Sequence, residues 1–393
     1  MQKYIHDTLR NNLRSIISSL TRPQQKAVEE IMRGLFTAGK PILRALAQYD
    51  DITKKKQAEK YSYHLGNVNL TVAVDDLAMK RARSFLRKDT IIAYDCTDVA
   101  KEYAHKMENI SGIFDGSRRK PSRGFLLHGV GMNNILLKLL VHDANEHTTN
   151  QTRYSILRSL SKNLNGKGIW VFDRGHDDAQ FFADLRQIHN VRFIARLREN
   201  RHVIIAKTGE KMAVRDIRPG VYPVFLPHRI WRRGIDWSIG LMTLVIDEHL
   251  EEKEPIRLLT NLHWQDYGSK RIVSMYLDRW GIENIFRRAK TKFDLEKIRV
   301  LKYQKFVNLV SLIQLAVIVS TITFIAIQKS TEMLIIGVLS LYERFLRYRS
   351  LTFNVDSFIS FMQTSLKPLQ KRHERSPPTQ LHLFSAPTLL KLA

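Results

Sequence analysis

Two acidic residues, Asp95 and Asp173, each follow a short apolar run, residues 91–94 and 169–172. Such runs are typical of strands that are buried on both faces of a sheet. A carboxylate at the end of a buried strand needs compensation, because burying an unpaired charge is unfavourable. A buried arginine or lysine would supply it, and so would a divalent cation such as Mg²⁺. The alternative is that each acid caps the turn that leads to the next element.

A third acid lies on a predicted helix that begins near Arg271. At the helical rotation of about 100° per residue, Tyr276, Arg279, Glu283 and Lys290 share one face of that helix, within an arc of about 60°. A separate apolar stripe is formed by Ile282, Ile285, Ala289 and Phe293. The pattern predicts a helix that packs one face on a core and presents an ionic row on another. A solvated face with ordinary surface ion pairs would show the same pattern.

The spacing Tyr276-x2-Arg279-x3-Glu283-x6-Lys290 resembles the Y-R-E-K signature of the DDE transposases of bacterial insertion sequences. The segments around the two aspartates also resemble the first and second aspartate motifs of that family. The two aspartate segments read IIAYDCTDVAK and WVFDRGHD. The resemblance covers roughly residues 20 to 345 and includes two further stretches, RFIARLREN and LLTNL.

This resemblance implies a ribonuclease-H-like fold in which Asp95, Asp173 and Glu283 are the catalytic residues and the metal ligands. Two Mg²⁺ ions, for which Mn²⁺ can substitute, would be held by these carboxylates. Two metals roughly 3.5–4 Å apart need several anionic oxygens between and around them. The implied reaction is hydrolysis at the ends of a DNA element, followed by attack of the freed 3′-hydroxyl on target DNA, without a covalent enzyme intermediate.

The same resemblance implies that Tyr276, Arg279 and Lys290 hold the DNA backbone beside the scissile phosphate. Arginine and lysine suit phosphate oxygens, and a tyrosine can add a hydroxyl hydrogen bond or stack on a base. Arg196, in the strand after Asp173, is a further candidate for a phosphate contact, with an ordinary surface arginine as the alternative.

The charge of the chain also indicates a polyanionic partner. Its 63 lysines and arginines against 38 acidic residues give a formal net charge of +25, and the basic residues are spread from Lys3 to Lys391. This distribution favours nucleic acid over a membrane surface, whose basic ligands concentrate their charge in one short segment.

No P-loop, H-E-x-x-H or G-x-S-x-G motif is present, and Gly129 with Gly131 lacks the third glycine of a dinucleotide fingerprint.

The single cysteine, Cys96, excludes an intramolecular disulfide framework, and no apolar run near residue 1 resembles a signal peptide. We therefore predict a location in the bacterial cytoplasm or nucleoid.

Residues 306–328 carry no charge and are long enough to span a bilayer. Polar residues interrupt them at short intervals, so we interpret the stretch as a buried core helix and predict no membrane association.

The predicted fold class is α/β, a ribonuclease-H-like mixed sheet flanked by helices. Residues 1–88 would form a helical DNA-binding domain, in which a helix-turn-helix reader and a small bundle with a basic face are both compatible with the pattern. The other predicted segments are the first catalytic part (89–199), a β-rich insertion (200–262), the glutamate helix with the rest of the catalytic domain (263–345) and C-terminal helices with a tail (346–393).

These observations predict a DNA transposase of an insertion sequence, active on double-stranded DNA as a homodimer. It would bind terminal inverted repeats, cleave the ends and join them to target DNA. Two alternatives are a sequence-specific DNA-binding regulator derived from a transposase, and a metal-dependent DNA nuclease that cleaves without joining.

Overall fold

The computed structural model describes residues 2–47, 53–188, 190–230, 235–248, 254–327 and 354–371. The strands are β1 (Ile91–Ala100), β2 (Ser111–Asp115), β3 (Lys120–Met132), β4 (Ile135–Val141), β5 (Ile169–Phe172), β6 (Phe193–Arg196), β7 (His202–Ile205), β8 (Lys211–Ala213), β9 (Gly220–Ile230), β10 (Ile235–Asp247) and β11 (Ile256–Thr260). The helices are α1 (Gln2–Ile17), α2 (Arg22–Ala38), α3 (Leu43–Leu46), α4 (Lys54–Gly66), α5 (Thr71–Ala82), α6 (Thr149–Asn163), α7 (Ala179–Gln187), α8 (Trp264–Tyr267), α9 (Ser269–Leu277), α10 (Trp280–Lys292), α11 (Tyr303–Ile327) and α12 (Val355–Lys371).

The described strands form one mixed sheet in the order β2-β3-β1-β5-β6-β11-β10-β9-β7-β8, with β4 paired to β3. Only β1, β5 and β6 run parallel to one another. Their apolar sequences suit strands that are covered on both faces. The structure therefore confirms a mixed α/β architecture, whereas its ribonuclease-H-like character stays a prediction.

The segment predicted as a β-rich insertion continues this sheet. Strand β11 pairs antiparallel with β6, and its other edge pairs with β10. The strands between residues 202 and 260 therefore extend the sheet that contains Asp95. The predicted domain boundaries themselves stay predictions.

The N-terminal helices share a hydrophobic core with the rest of the chain. Residues of α1 to α5 pack in one cluster with α10, α11, α12 and one face of β1, β3 and β4. A second cluster lies on the opposite face of the sheet, under α6 and α7. Helix α9 covers a third, smaller cluster on β5, β6 and β11. The sheet is thus enclosed between two helical layers.

Helix α11 contains residues 306–327 of the uncharged stretch that was predicted to be a core helix, and residue 328 lies outside the described residues. By length and composition it could cross a bilayer, but most of it is buried inside the fold. Its polar residues bind neighbouring elements: the Asn308 amide donates to the carbonyls of Leu65 and Val68 at 2.9 Å, and the Gln314 amide donates to Asp75 Oδ1 at 3.1 Å. These buried hydrogen bonds explain the polar interruptions of the stretch.

A tight turn of two residues joins β3 to β4. Asn133 and Asn134 both adopt positive φ angles, 48° and 64°. Asparagine tolerates this conformation better than other residues that carry a side chain, which suits it to a two-residue hairpin.

The single helix predicted from Arg271 onward is wrong in one respect. Helix α9 ends at Leu277, and α10 begins at Trp280 with Arg279 at its N-cap. Across this junction the hydrogen bonds tighten to three-residue spacing, with Arg279 N donating to Tyr276 O and Ile282 N donating to Arg279 O, both at 3.0 Å. Arg279 and Glu283 nevertheless share a face, since their side chains pair four residues apart, whereas Tyr276 packs in the third core cluster.

Candidate active site

Strand register places Asp95 beside Asp173. In the parallel pair of β1 and β5, Ala93 lies opposite Val171, and each aspartate follows two residues later. Side chains alternate along a strand, so both carboxylates share the face of Ala93 and Val171. Oxygens of the two carboxylates come within 4.8 Å of each other. The short apolar runs of the sequence thus converge on one acidic pair.

Each of these carboxylates is oriented by a backbone amide. Asp95 Oδ1 accepts a hydrogen bond from the Cys96 amide at 2.8 Å. Asp173 Oδ1 accepts one from Gly175 N at 3.1 Å and so caps the short 3₁₀ turn Arg174–His176. In both cases Oδ1 makes this contact, which leaves Oδ2 for other partners.

Arg279 links the acidic pair to Glu283. Its guanidinium donates to Asp95 Oδ2 at 3.2 Å and to Glu283 Oε1 at 2.9 Å. The arginine side chain is 10% exposed and the Glu283 side chain 39% exposed. The positive charge between two of the three predicted metal ligands is therefore supplied by the guanidinium of Arg279.

Two glycines allow the glutamate helix to approach the sheet. Gly129 of β3 lies opposite Asp95 in the antiparallel register. A Cβ atom on Gly129 would meet the Phe286 ring of α10 at 2.3 Å, and one on Gly131 would meet Ile282 and Ile285 at 2.9 Å. The absence of side chains at these positions lets α10 pack directly on β3. These two glycines, which match no nucleotide-binding motif, thus determine how closely the helix that carries Glu283 approaches the sheet that carries Asp95.

His176 belongs to this site and was missed by the sequence analysis. One of its ring nitrogens, an Asp95 oxygen and an Asp173 oxygen all lie within 4.8 Å of one another. The signal was the D-x-x-H spacing, because a 3₁₀ turn brings residues i and i+3 onto the same side. Burial lowers the pKa of His176 to about 4, although the Asp173 charge acts in the opposite direction.

The electrostatics of the acidic pair favour a cation. Burial, followed by the negative charge of Asp173, raises the pKa of Asp95 to about 7, and this outweighs the opposite effect of Arg279. Two carboxylates at this distance repel each other when both are ionised. A divalent cation removes that repulsion, and hard oxygen donors are the ligands that Mg²⁺ prefers. Asp95 and Asp173 therefore fit the metal that the family resemblance implies.

The other predicted site residues lie outside the acidic pair. Tyr276 is 3% exposed and packs in the third core cluster, and its ring centroid lies 6.0 Å from the Arg279 guanidinium carbon. Lys290 Nζ pairs with Glu296 at 3.0 Å. Arg196 ends β6. Their contacts with DNA stay predictions, and Tyr276 is not on the surface.

A basic cleft adjoins Asp173. This arginine cleft has a volume of about 520 Å³, and the residues that follow Asp173 form part of its wall. It is lined by five arginines and two glutamates: Arg174, Arg196, Arg198, Arg215, Arg257, Glu199 and Glu254. Guanidinium groups bind phosphate oxygens in a bidentate manner. The cleft therefore presents several guanidinium groups suited to an anionic ligand beside the acidic pair.

Replacement of Arg279 by glutamine is expected to destabilise the metal-free protein and to increase its response to Mg²⁺. The change leaves Asp95 and Glu283 without their cation, at a loss of about 1–3 kcal/mol in the free energy of unfolding, because Glu283 is partly solvated. Added Mg²⁺ should then stabilise Arg279→Gln more than it stabilises the wild type, which already contains a competing cation. Urea unfolding in chelator and in Mg²⁺ measures both effects.

The matched control for this experiment is Arg287→Gln on the same helix. Arg287 is 63% exposed and pairs with Asp356 at 3.6 Å, so its loss should change stability by less than about 0.5 kcal/mol. An equal Mg²⁺ response in Arg279→Gln and in the wild type would contradict competition between the guanidinium and the metal.

The fold and the site define an α/β protein with a pair of carboxylates whose oxygens are close enough to hold one cation. The chain matches the family model of the transposase DDE domain over residues 86–319, which is more than half of its length. It therefore belongs to the DDE transposase family, an enzyme family of DNA cleavage and transposition. The family resemblance of the sequence is confirmed at this level, and the narrower bacterial Y-R-E-K group stays a prediction.

No curated protein matches the chain. Among solved structures, the chain is similar to the cryo-EM structure of a piggyBac transposase synaptic complex with hairpin DNA, at 10% sequence identity and a TM-score of 0.44. That match covers 97% of this chain and 80% of the other.

Proposed function

We propose that this protein is the transposase of a bacterial insertion sequence, which cleaves the ends of its element by metal-assisted hydrolysis and joins the 3′-hydroxyl ends to target DNA. The observation that carries the proposal is the strand register that sets Asp95 beside Asp173, with Glu283 linked to them through Arg279. A family of DNA-transposing enzymes and a carboxylate site suited to divalent cations support the same chemistry.

Asp95, Asp173 and Glu283 would hold the two Mg²⁺ ions, or Mn²⁺ in their place. Bound divalent cations supply acidification of the attacking hydroxyl group and neutralisation of charge on the scissile phosphate. Strand packing already sets the carboxylates of Asp95 and Asp173 close together for this role. Raised pKa values such as that of Asp95 fall toward their usual range when a cation replaces the proton.

Arg279 would exchange partners when DNA is bound. Its guanidinium now neutralises Asp95 and Glu283, and this position is next to the site where a scissile phosphate would lie. Once Mg²⁺ neutralises those carboxylates, Arg279 is free to bind phosphate oxygens. Tyr276 would support Arg279 from the core, and Lys290 and Arg196 would hold the flanking backbone.

The remaining parts of the proposal concern the whole molecule. The N-terminal helices would bind the terminal inverted repeats, with the exposed Lys54, Lys55 and Lys56 at the start of α4 as phosphate contacts. Coordinated cleavage of two ends requires at least two active sites, so we propose a homodimer on double-stranded DNA. The net charge of +25 gives this binding a steep salt dependence. The place of action would be the bacterial cytoplasm or nucleoid.

The test is an assay of end cleavage and strand joining. Duplexes that cover the DNA on either side of the gene are incubated with the protein and a target plasmid, in Mg²⁺ or in chelator. We expect joined products in Mg²⁺ only. Cleavage without joining would identify a nuclease, and sequence-specific binding without cleavage would identify a regulator.

A further inference from the structure

The imidazole of His176 packs among three aromatic rings beside Asp95 and Asp173. Its ring centroid is 5.0 Å from that of Tyr94, 6.0 Å from that of Phe172 and 6.2 Å from that of Phe181. The side chain is 12% exposed. This packing leaves the imidazole little rotational freedom, so the direction in which each ring nitrogen points is set by the fold.

The Nδ1 atom of this imidazole faces a buried arginine. Arg153 of α6 is 5% exposed and its Nη1 lies 2.9 Å from His176 Nδ1. Two other contacts hold the guanidinium: Nη2 donates to Asn150 Oδ1 at 3.0 Å, and the Cζ atom lies 3.7 Å from the centroid of the Phe181 ring. Within the described ranges, no carboxylate lies at ion-pairing distance from Arg153. The guanidinium is therefore positioned to donate a hydrogen bond to the imidazole.

This contact determines the tautomer of His176. An arginine guanidinium only donates hydrogen bonds, so Nδ1 must accept with its lone pair. A ring whose Nδ1 is unprotonated carries its proton on Nε2. That Nε2 atom lies 3.5 Å from Asp173 Oδ1, so its N–H is on the side of the ring that approaches the Asp173 carboxylate. A nitrogen that carries a proton has no lone pair to offer to a cation.

We propose that His176 is a positioning residue for Asp173 and not a ligand of the metal, and that Arg153 enforces this role by fixing the imidazole tautomer. The inference rests on the proposed function of Asp173 as a metal ligand. The N–H of His176 would draw the carboxylate into one orientation and leave its second oxygen for the cation. Outer groups of this kind commonly change metal affinity by about 10- to 100-fold when they are removed.

In the test, Mn²⁺ is added to the full chain without any other ligand. Electron spin echo envelope modulation then shows whether a ¹⁴N nucleus is bound to the metal. We expect bound Mn²⁺ without a coupling from coordinated nitrogen in the wild type. In Arg153→Met the Nδ1 atom is free to take the proton, so the Nε2 lone pair faces the site and a coordinated-nitrogen coupling should appear. A coupling in the wild type that disappears in His176→Gln would overturn the proposal.

Mn²⁺ affinity supplies a second readout that does not need the Arg153 variant to fold. His176→Gln can still present an amide N–H at a similar reach, so its dissociation constant should stay within about threefold of the wild-type value. His176→Leu has no donor, and its affinity should fall about tenfold. Equal losses in the two variants would show that His176 acts as a ligand. Failure of the wild type to bind Mn²⁺ would instead overturn the metal site of the proposed function, and this inference with it.

Discussion

Asp173→Asn is expected to lower the rate of DNA strand cleavage by at least about 10³-fold, which corresponds to about 4 kcal/mol of transition-state stabilisation. Asparagine retains an oxygen that can accept the 3.1 Å hydrogen bond from Gly175 N, so the 3₁₀ turn should be preserved. What is lost is the negative charge that a divalent cation needs. The same reasoning applies to Asp95→Asn, whose oxygen can still accept from the Cys96 amide, and to Glu283→Gln.

The measurement is cleavage of an end duplex in Mg²⁺, with DNA binding followed separately by gel mobility. Binding should stay within about threefold of wild type, because the surface that contributes phosphate contacts is unchanged. Asp178→Asn is the matched control, since Asp178 caps α7 through Phe181 N at 3.0 Å and asparagine caps helices equally well. Wild-type cleavage by Asp173→Asn would refute the assignment of the metal site.

Gly129→Ala is expected to lower cleavage by about 10²-fold through a displacement of α10, since an error of about 1 Å in the position of a catalytic group has effects of this size. The new methyl group would lie 2.3 Å from the Phe286 ring, so either the ring or the helix must move. The free energy of unfolding should fall by about 1–3 kcal/mol, as for other overpacked cores. Glu283 would then lie farther from Asp95.

A second substitution separates this displacement from general damage. Phe286→Leu on the Gly129→Ala background makes room for the methyl group, so it should restore part of the cleavage activity. Gly112→Ala is the control, because a Cβ atom there meets no heavy atom within 4 Å. Equal activity losses in Gly112→Ala and Gly129→Ala would contradict the proposed role of the glycine in helix packing.

Local sequence patterns determined much of the fold. Apolar runs that end in an acid identified β1 and β5, and a pair of asparagines, Asn133 and Asn134, is the local feature that suits the turn between β3 and β4. These features depend on neighbours in the chain, whose side-chain period and backbone preferences are short-range properties. The spacing of Tyr276, Arg279, Glu283 and Lys290 carried the family resemblance, which the match to the DDE domain confirms at the level of the DDE transposase family.

Local patterns could not show which of the signature side chains face the core and which face the acidic pair. Tyr276 lies in the core, where it is 3% exposed, although the helical period placed it on the face of Glu283. The continuous helix predicted there is interrupted at residues 278 and 279, between α9, which packs in the third cluster, and α10, which packs in the first. The cluster on which each helix packs depends on tertiary contacts and leaves no signal in the helical period.

The sequence by itself determined the chemistry that is available: three carboxylates at spacings typical of a DDE transposase, in a chain with a net charge of +25. Only the tertiary structure decided how these groups meet. Arg279 reaches Asp95 across 184 positions of the chain, and the imidazole of His176 is held by an arginine from another helix. Contacts between residues so far apart follow from strand register and helix packing, which are properties of the whole fold.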